Sequence, residues 1–373
     1  MKKIGILTFI DTVNYGAILQ ATALQNFLIK KNFHVENLNY CVPHDGLNLR
    51  PFHKRFLTKI WNVFKSFLGY SLRLENTNKF ISKNLILTKK IKKKEQIELY
   101  ANFYDCFIVG SDQVWNPNII GNDMNYFLKF VSSDKLKVSY AASFGVNTLS
   151  LDYSNIVKNS LKDFYAISVR ENQGAKILQN LNINSEVVLD PTLLLSRKEW
   201  KNFYSQKRLI DERYILCYFM PGNREVEKKI STISEYISKK TGLKVINIGK
   251  KEYSRLNVLG NNRVTDGPEQ FLNLIENCEC LLTNSFHGLA FGLNFNKNVY
   301  PFVEKNLSNE LSLSSRLISL LDLTNSKHRM VYPDMTLEDF DKIKEIDFEY
   351  TNNILNIHRV NSTLFLEKSL MSL

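Results

Sequence analysis

The sequence predicts an α/β protein of two doubly wound, Rossmann-like domains facing a cleft. Three observations carry this reading. Short apolar runs alternate with stretches of helical periodicity. The alternation runs twice, with a lapse near 193–212 where charges cluster. A length of 373 residues suits two domains better than one. Strands that alternate with helices form parallel sheets covered on both faces.

The first run opens with KIGILTF (3–9), a buried strand by its unbroken apolar character. Residues 14–32 follow as a helix, with Ile18, Leu19, Leu24, Phe27 and Leu28 near helical spacing and a basic end. HVENLNY is the second strand. A basic, helical insert over about 43–102 comes next. DCFIVGSD (105–112), KVSYAASFG (137–145), AISVRE (166–171) and SEVVLDP (185–191) are further strands, with a helix at 172–182. This places the first domain at 1–195. The second, 196–335, restarts with YILCYFM (214–220), a helix at 225–242 closed by Gly242, and the strand KVINIGK. A helix opened by Pro268, the strand CLLTNS, the helix HGLAFGLNF, the strand VYPFV and the helix SSRLISLLDLT complete it. Residues 336–373 read as a helical tail packing back on the first domain.

Composition narrows the function. The chain is 44% apolar, enough for packed cores. Its five cysteines are scattered and odd in number, which fits a reducing cytoplasm. The opening MKKIGILTFID mimics a secretory leader, but its apolar run is short and reads as the first strand. No stretch reaches the roughly 18 apolar residues of a membrane span. From Arg50 to Lys94 there are thirteen Lys and Arg against the single acid Glu75, so this segment alone carries the chain's net +12. The excess points to an anionic partner there. Within it, residues 51–70 place Phe52, Phe56, Leu57, Ile60, Trp61, Phe64, Phe67 and Leu68 on a wide helical stripe beside Lys54, Arg55, Lys59 and Lys65. Such a helix can lie on an anionic membrane surface, bind nucleic acid, or pack on its own domain with a solvated charged face, and without a nucleic-acid motif beside it no nucleic-acid partner is expected. No nucleic-acid motif, zinc motif, nucleophile elbow or P-loop is present, and no metal site is expected.

Polar groups collect where strands end: DTVNYG (11–16), GSDQVWNP (110–117), SFG (143–145), SVRE (168–171), LDPT (189–192) and TNSFHG (283–288). Six such groups at carboxyl edges suggest a shared, polar-lined cleft. In TNSFHG a helix starts near His287 or Gly288, and helix starts attract anions. His287 either serves proton transfer there or caps the helix and packs on Phe286. Ser285 can cap the same helix or donate to a phosphate. Arg170 either clamps an anion or holds Glu171 or Asp190 in a salt bridge. Asp190, before Pro191, is a turn former or a catalyst. Asn14, Tyr15 and Gly16 form a weak phosphate-type turn. Trp115 with Asp112 would suit a sugar, and Trp115 fits a plain core equally well.

These motifs together resemble the polysaccharide pyruvyl transferases. The ordered set is IGILTF…NYGAILQATALQ, FIVGSDQVWNP, SYAASFG, ISVRE…GAKIL, VLDPTLLL, GPEQFL, TNSFHGLAFGLNF and SRLISLLDL. The resemblance implies a fold like that of two-domain (GT-B) glycosyltransferases. It implies transfer of a pyruvyl group from phosphoenolpyruvate, a co-substrate, to two sugar hydroxyls, forming a ketal and releasing phosphate, with no cofactor. It makes His287 the general acid/base and Arg170 an anion clamp, with the helix start at Gly288 helping to hold phosphate. Some relatives carry Arg two positions before this histidine. Ser285 stands there instead, so Lys250, Lys251 or Arg316 would meet the donor's charge. Asn14, Tyr15, Gly16, Ser111, Asp112, Gln113, Trp115, Ser143 and Phe144 would line the acceptor side.

The acceptor is expected to be a lipid- or nucleotide-linked sugar of a surface-polysaccharide precursor. The protein is expected to be cytoplasmic, with the basic helix docking it at the inner face of the membrane. The alternatives are a GT-B-type transferase using a nucleotide sugar and a non-catalytic binding protein of an envelope pathway.

Overall fold

The computed structural model describes residues 1–42, 70–220, 223–248, 266–304 and 314–373. They fall into two compact units. The first is bounded by Met1–Phe52, Ile81–Leu195 and Ile357–Leu373, the second by His53–Phe80 and Ser196–Asn356.

The first unit is built on strands β1 (Lys3–Leu7), β2 (His34–Asn37), β3 (Cys106–Val109), β4 (Leu136–Ala142), β5 (Ala166–Val169) and β6 (Glu186–Val187). All pair in parallel, in the order β2-β1-β3-β4-β5-β6. Parallel pairing demands a crossover between strands, and the helices that supply it bury both faces. On one face Leu24 and Leu28 of α1 (Tyr15–Lys30) pack with Ile4, Ile6, Ile108 and with Phe365 and Leu366 of the C-terminal helix. On the other, Phe107 and Val109 pack with Trp115, Phe127, Tyr153 and Leu178. The strand expected over 185–191 shrinks to Glu186–Val187. Asp190 ends it by accepting from the Thr192 N–H and opening a short helix at Pro191, a combination that favours helix starts over strand continuation.

The second unit carries β7 (Tyr214–Tyr218), β8 (Lys244–Ile248), β9 (Cys280–Thr283) and β10 (Asn298–Pro301), parallel in the order β10-β9-β7-β8. In the described part of the insert lies helix α2 (Tyr70–Asn84). Up to Phe80 it groups with this unit, where Asn76 Nδ2 donates to the Asp266 carbonyl, although the sequence reading kept the whole insert with the first domain. The rest of the aromatic, basic stretch 51–70 lies outside the described residues. The later helices are α3 (Leu151–Ser160) and α4 (Asn172–Asn180) in the first unit, then α5 (Arg224–Thr241), α6 (Pro268–Asn277), α7 (Phe286–Asn294) and α8 (Ser314–Leu323) in the second. Asn223 caps α5, and Gly242 ends it at a φ of 72°. Helix α9 (Phe348–Leu370) closes the chain. Among the described residues no helix is long and apolar enough to cross a membrane.

Both sheets share one topological device. The first strand of each has its second strand on one side and its third on the other. The connections from neighbouring strands then leave toward opposite faces, which opens a crevice at their carboxyl ends. In the first unit that point lies between β1 and β3, in the second between β7 and β9.

Candidate active site

At the first switch point the segments after β1 and β3 enclose a cavity of about 430 Å³. Phe9, Ile10, Asp11, Thr12 and Asn14 come from one segment and Asp112 and Gln113 from the other. Tyr40, Cys41 and Val42 follow β2 and complete the wall with Ile119 and Tyr126. Tyr126 sets its ring edge-on to Phe9 and Tyr40, with centroids 5.1 and 5.7 Å apart. The Tyr40 hydroxyl donates to Asp123 Oδ2 at 2.7 Å and accepts from Asn125 Nδ2 at 2.8 Å. Asn14 caps α1 through its Oδ1, which accepts from the Gly16 N–H. The β3 exit requires Gly110. Its φ is 113°, and a Cβ there would meet the Tyr140 carbonyl oxygen at 2.2 Å.

Behind this wall lies a buried charge cluster. The Arg170 guanidinium is 3.1 Å from Asp190 Oδ2, 3.6 Å from Asp112 Oδ1 and 3.5 Å from Glu171 Oε2. Burial disfavours its charge, but the three carboxylates outweigh that, and its pKa lies above the usual arginine value. Asp190 also accepts from the Ser111 hydroxyl at 3.1 Å and from the Thr192 hydroxyl at 2.7 Å. Glu171 accepts from the Ser143 hydroxyl at 2.7 Å. The geometry therefore favours the salt-bridge reading of Arg170 over an anion clamp: three carboxylates already surround its fork.

At the second switch point β9 runs into Asn284, Ser285 and α7. Asn284 ties the two strand exits together, accepting from the Met220 N–H at 2.7 Å and donating to the Met220 carbonyl at 2.9 Å. Helix α7 starts at Phe286, one residue earlier than the sequence suggested, because Ser285 is its cap and accepts from the Gly288 N–H at 3.4 Å. His287 thus sits in the first helical turn. It is 5% exposed, and its ring meets Phe286 edge-on at 5.3 Å. Gly288 brings α7 close to the sheet, where a Cβ would lie 2.4 Å from Thr283 Oγ1 and 3.1 Å from the Tyr218 ring. Helix α8 packs beside α7 and carries Arg316, buried in its first turn.

The structure thus places His287, Ser285, Gly288 and Arg316 in one part of the second unit, and Asn14, Asp112 and Gln113 on one cavity wall in the first. Lys250 and Lys251 lie outside the described residues. Tyr15, Gly16, Ser111, Trp115, Ser143 and Phe144 are buried and do not line the cavity. Trp115 is core: it stacks on Phe127 and donates from Nε1 to the Tyr126 carbonyl, so its faces are closed to a sugar. Tyr40 and Tyr126 were not foreseen. Tyr40 ends the second predicted strand beside the switch point and was findable there, whereas Tyr126 follows a short turn with no periodic signal. Among the described residues no three His, Cys, Asp or Glu gather as a metal site.

Comparison with known proteins agrees with this architecture. A UDP-GlcNAc 2-epimerase from Methanocaldococcus jannaschii matches 97% of this chain and 99% of its own at 14% identity, with a TM-score of 0.53. The same enzyme in complex with UDP-GlcNAc and UDP matches with equal coverage and identity and a TM-score of 0.50. At such identity the likeness shows the fold alone, two Rossmann-like domains of GT-B type. No curated protein matches. The family model for polysaccharide pyruvyl transferase matches residues 14–306, from the cap of α1 to beyond β10. The chain belongs to the polysaccharide pyruvyl transferase family and is a transferase.

Proposed function

We propose that the protein transfers a pyruvyl group from phosphoenolpyruvate to two hydroxyls of a surface-polysaccharide precursor. The observation that carries the reading is His287 in the first turn of α7, at a switch point, within the span of the family match. The methylene of phosphoenolpyruvate must gain a proton to become the methyl of the ketal. The central carbon then becomes oxocarbenium-like, a sugar oxygen attacks it, and phosphate leaves. A second hydroxyl closes the ketal. One hydroxyl proton balances that gained by the methyl, and the other leaves with phosphate. Proton delivery is the step an imidazole suits, and we assign it to His287. The N–H groups of a helix start favour the donor's anionic groups. Arg316, on the neighbouring helix, is the described cation we assign to the donor.

The test is acceptor-dependent phosphate release. Purified protein is mixed with phosphoenolpyruvate and a panel of lipid- and nucleotide-linked galactose, glucose and mannose acceptors. Release with at least one acceptor, accompanied by a product heavier by a pyruvyl ketal, supports the reading. Absence of release together with tight binding of a nucleoside diphosphate would establish the nucleotide-sugar alternative instead.

A further inference from the structure

We infer that the outer face of α9 is an interface between two copies of this chain, paired antiparallel about a two-fold axis at Val360. The inference goes beyond the proposed reaction and does not depend on it.

The first argument is that α9 is apolar on two faces, and the first unit covers one of them. Phe365, Leu366 and Leu370 pack in the core with Ile4, Ile6 and Leu24. The Ser362 hydroxyl accepts from the Leu189 N–H at 2.9 Å, and Arg359 Nε donates to the Leu193 carbonyl at 2.7 Å. These contacts seat the helix. On its other side Tyr350, Ile357, Leu364 and Met371 recur every seven residues, and Val360 lies between the middle two. Seven residues make nearly two turns, so the five form one stripe along α9 and just past its end. They are between 43% and 79% exposed. A helix with a solvated face ordinarily carries polar residues there. Helix α5 does so: Arg224, Glu225, Lys228, Glu235, Lys239 and Lys240 are all exposed. Between Glu349 and Lys368, by contrast, every exposed residue of α9 is uncharged. Depletion of charge around aromatic and Met side chains marks the core of a protein interface.

The second argument is size and symmetry. Side chains this large and this exposed form a patch of roughly 500 Å². Two copies laid face to face would cover about 1,000 Å², the threshold of a specific interface. A second copy is the occupant that the stripe itself matches. Turned end for end about Val360, Ile357 of one copy meets Leu364 of the other, and Tyr350 meets Met371. Each apolar side chain then finds an apolar partner, as a self-complementary two-fold contact requires. Charge selects the same direction. The exposed charged residues of α9 are Glu349 at its start and Lys368 at its end. Antiparallel pairing brings opposite signs together at both ends, whereas parallel pairing would bring like signs together. The helix dipoles also oppose one another in the antiparallel arrangement.

The test is the oligomeric state of the full chain. Sedimentation velocity from roughly 1 to 200 μM should show a monomer–dimer equilibrium with a micromolar Kd, as suits an interface of this size. Val360→Glu, at an exposed position beside the axis, should leave the thermal midpoint unchanged and raise Kd about 100-fold or more. Val360→Lys alone should do the same. An equimolar mixture of the two variants should dimerise again, because the axis sets the substituted positions together. Lys368→Glu should weaken the dimer about ten-fold, and adding Glu349→Lys should restore it, which antiparallel pairing allows and parallel pairing does not. A chain that stays monomeric throughout, or a dimer that Val360→Glu leaves intact, overturns the inference. A mixture that stays monomeric, or a double reversal that restores nothing, overturns the antiparallel pairing. Flotation on phosphatidylcholine vesicles that Val360→Glu abolishes would assign the stripe to lipid and overturn it as well.

Discussion

At the residue scale, two side chains singled out by the sequence have different structural meanings. His287 lies in a helix start at a strand exit, a place suited to chemistry. Arg170 sits in a buried knot of carboxylates, a place suited to holding structure. His287→Gln keeps the size and polarity of the side chain but removes its proton shuttle. It should lower kcat about 10²- to 10⁴-fold with little change in thermal midpoint. Equal losses of activity and stability would mark His287 as structural. Arg170→Met should do the opposite. It leaves Asp112, Asp190 and Glu171 together without their cation, and breaking a buried pair this way costs about 3–5 kcal/mol. Chemical denaturation of the two proteins checks this, and an unchanged midpoint would show that the cluster does not hold the unit together. The sequence could not separate these meanings, because an arginine at a strand end looks the same whether it faces a ligand or three acids. The acids come from three different strand exits, at Asp112, Glu171 and Asp190, and only the parallel sheet brings them together.

At the element scale, α7 shows why a short helix can be exacting. Gly288 is one turn from Gly292, and both face the sheet closely, with no room for a Cβ at the first and a tight fit at the second. The added carbon would come within 2.4 Å of Thr283 Oγ1 at the first and 3.0 Å of Val299 Cβ at the second. Gly288→Ala should therefore destabilise the second unit by about 1–3 kcal/mol, despite alanine's better helix propensity. Pairing it with Thr283→Ala should recover part of that loss, and the coupling is read from a double-mutant cycle. Additive losses would mean that the contact with Thr283 is not the cause. The motif HGLAFGLNF was legible as a helix, and its strand–turn–helix setting was legible too. The close approach was not, because spacing alone does not tell a glycine that packs from one that holds phosphate. Other elements were legible where their signals were local: Pro268 opening α6, Gly242 closing α5, and the unbroken apolar runs of β1 and β3. The strand at 185–191 is shorter than its apolar run, because apolar residues continue past the point where the Asp190 cap turns the chain.

At the scale of the whole molecule, the uneven charge is the feature that fold and site leave unused. The net +12 equals the excess between Arg50 and Lys94, so the remainder of the chain is balanced. A cluster of that kind on an aromatic, amphipathic stretch is attracted to anionic surfaces with about 1 kcal/mol per basic residue near the headgroups. On the proposed function, a lipid-linked acceptor would give such attraction a use. The full chain is therefore expected to float with vesicles containing about 30% phosphatidylserine or phosphatidylglycerol and not with pure phosphatidylcholine, and raising salt should release it because surface charge is screened within about 10 Å at 0.1 M. Replacing Lys54, Arg55, Lys59 and Lys65 with Gln removes four charges, so vesicle affinity should fall by about 10²- to 10³-fold. Activity on a water-soluble acceptor should be unchanged in that variant, because none of the four lies among the residues assigned to either substrate. Flotation that ignores lipid charge, or a variant that binds as well as its parent, would show that the basic segment serves the protein's own packing and that membrane proximity must come from elsewhere.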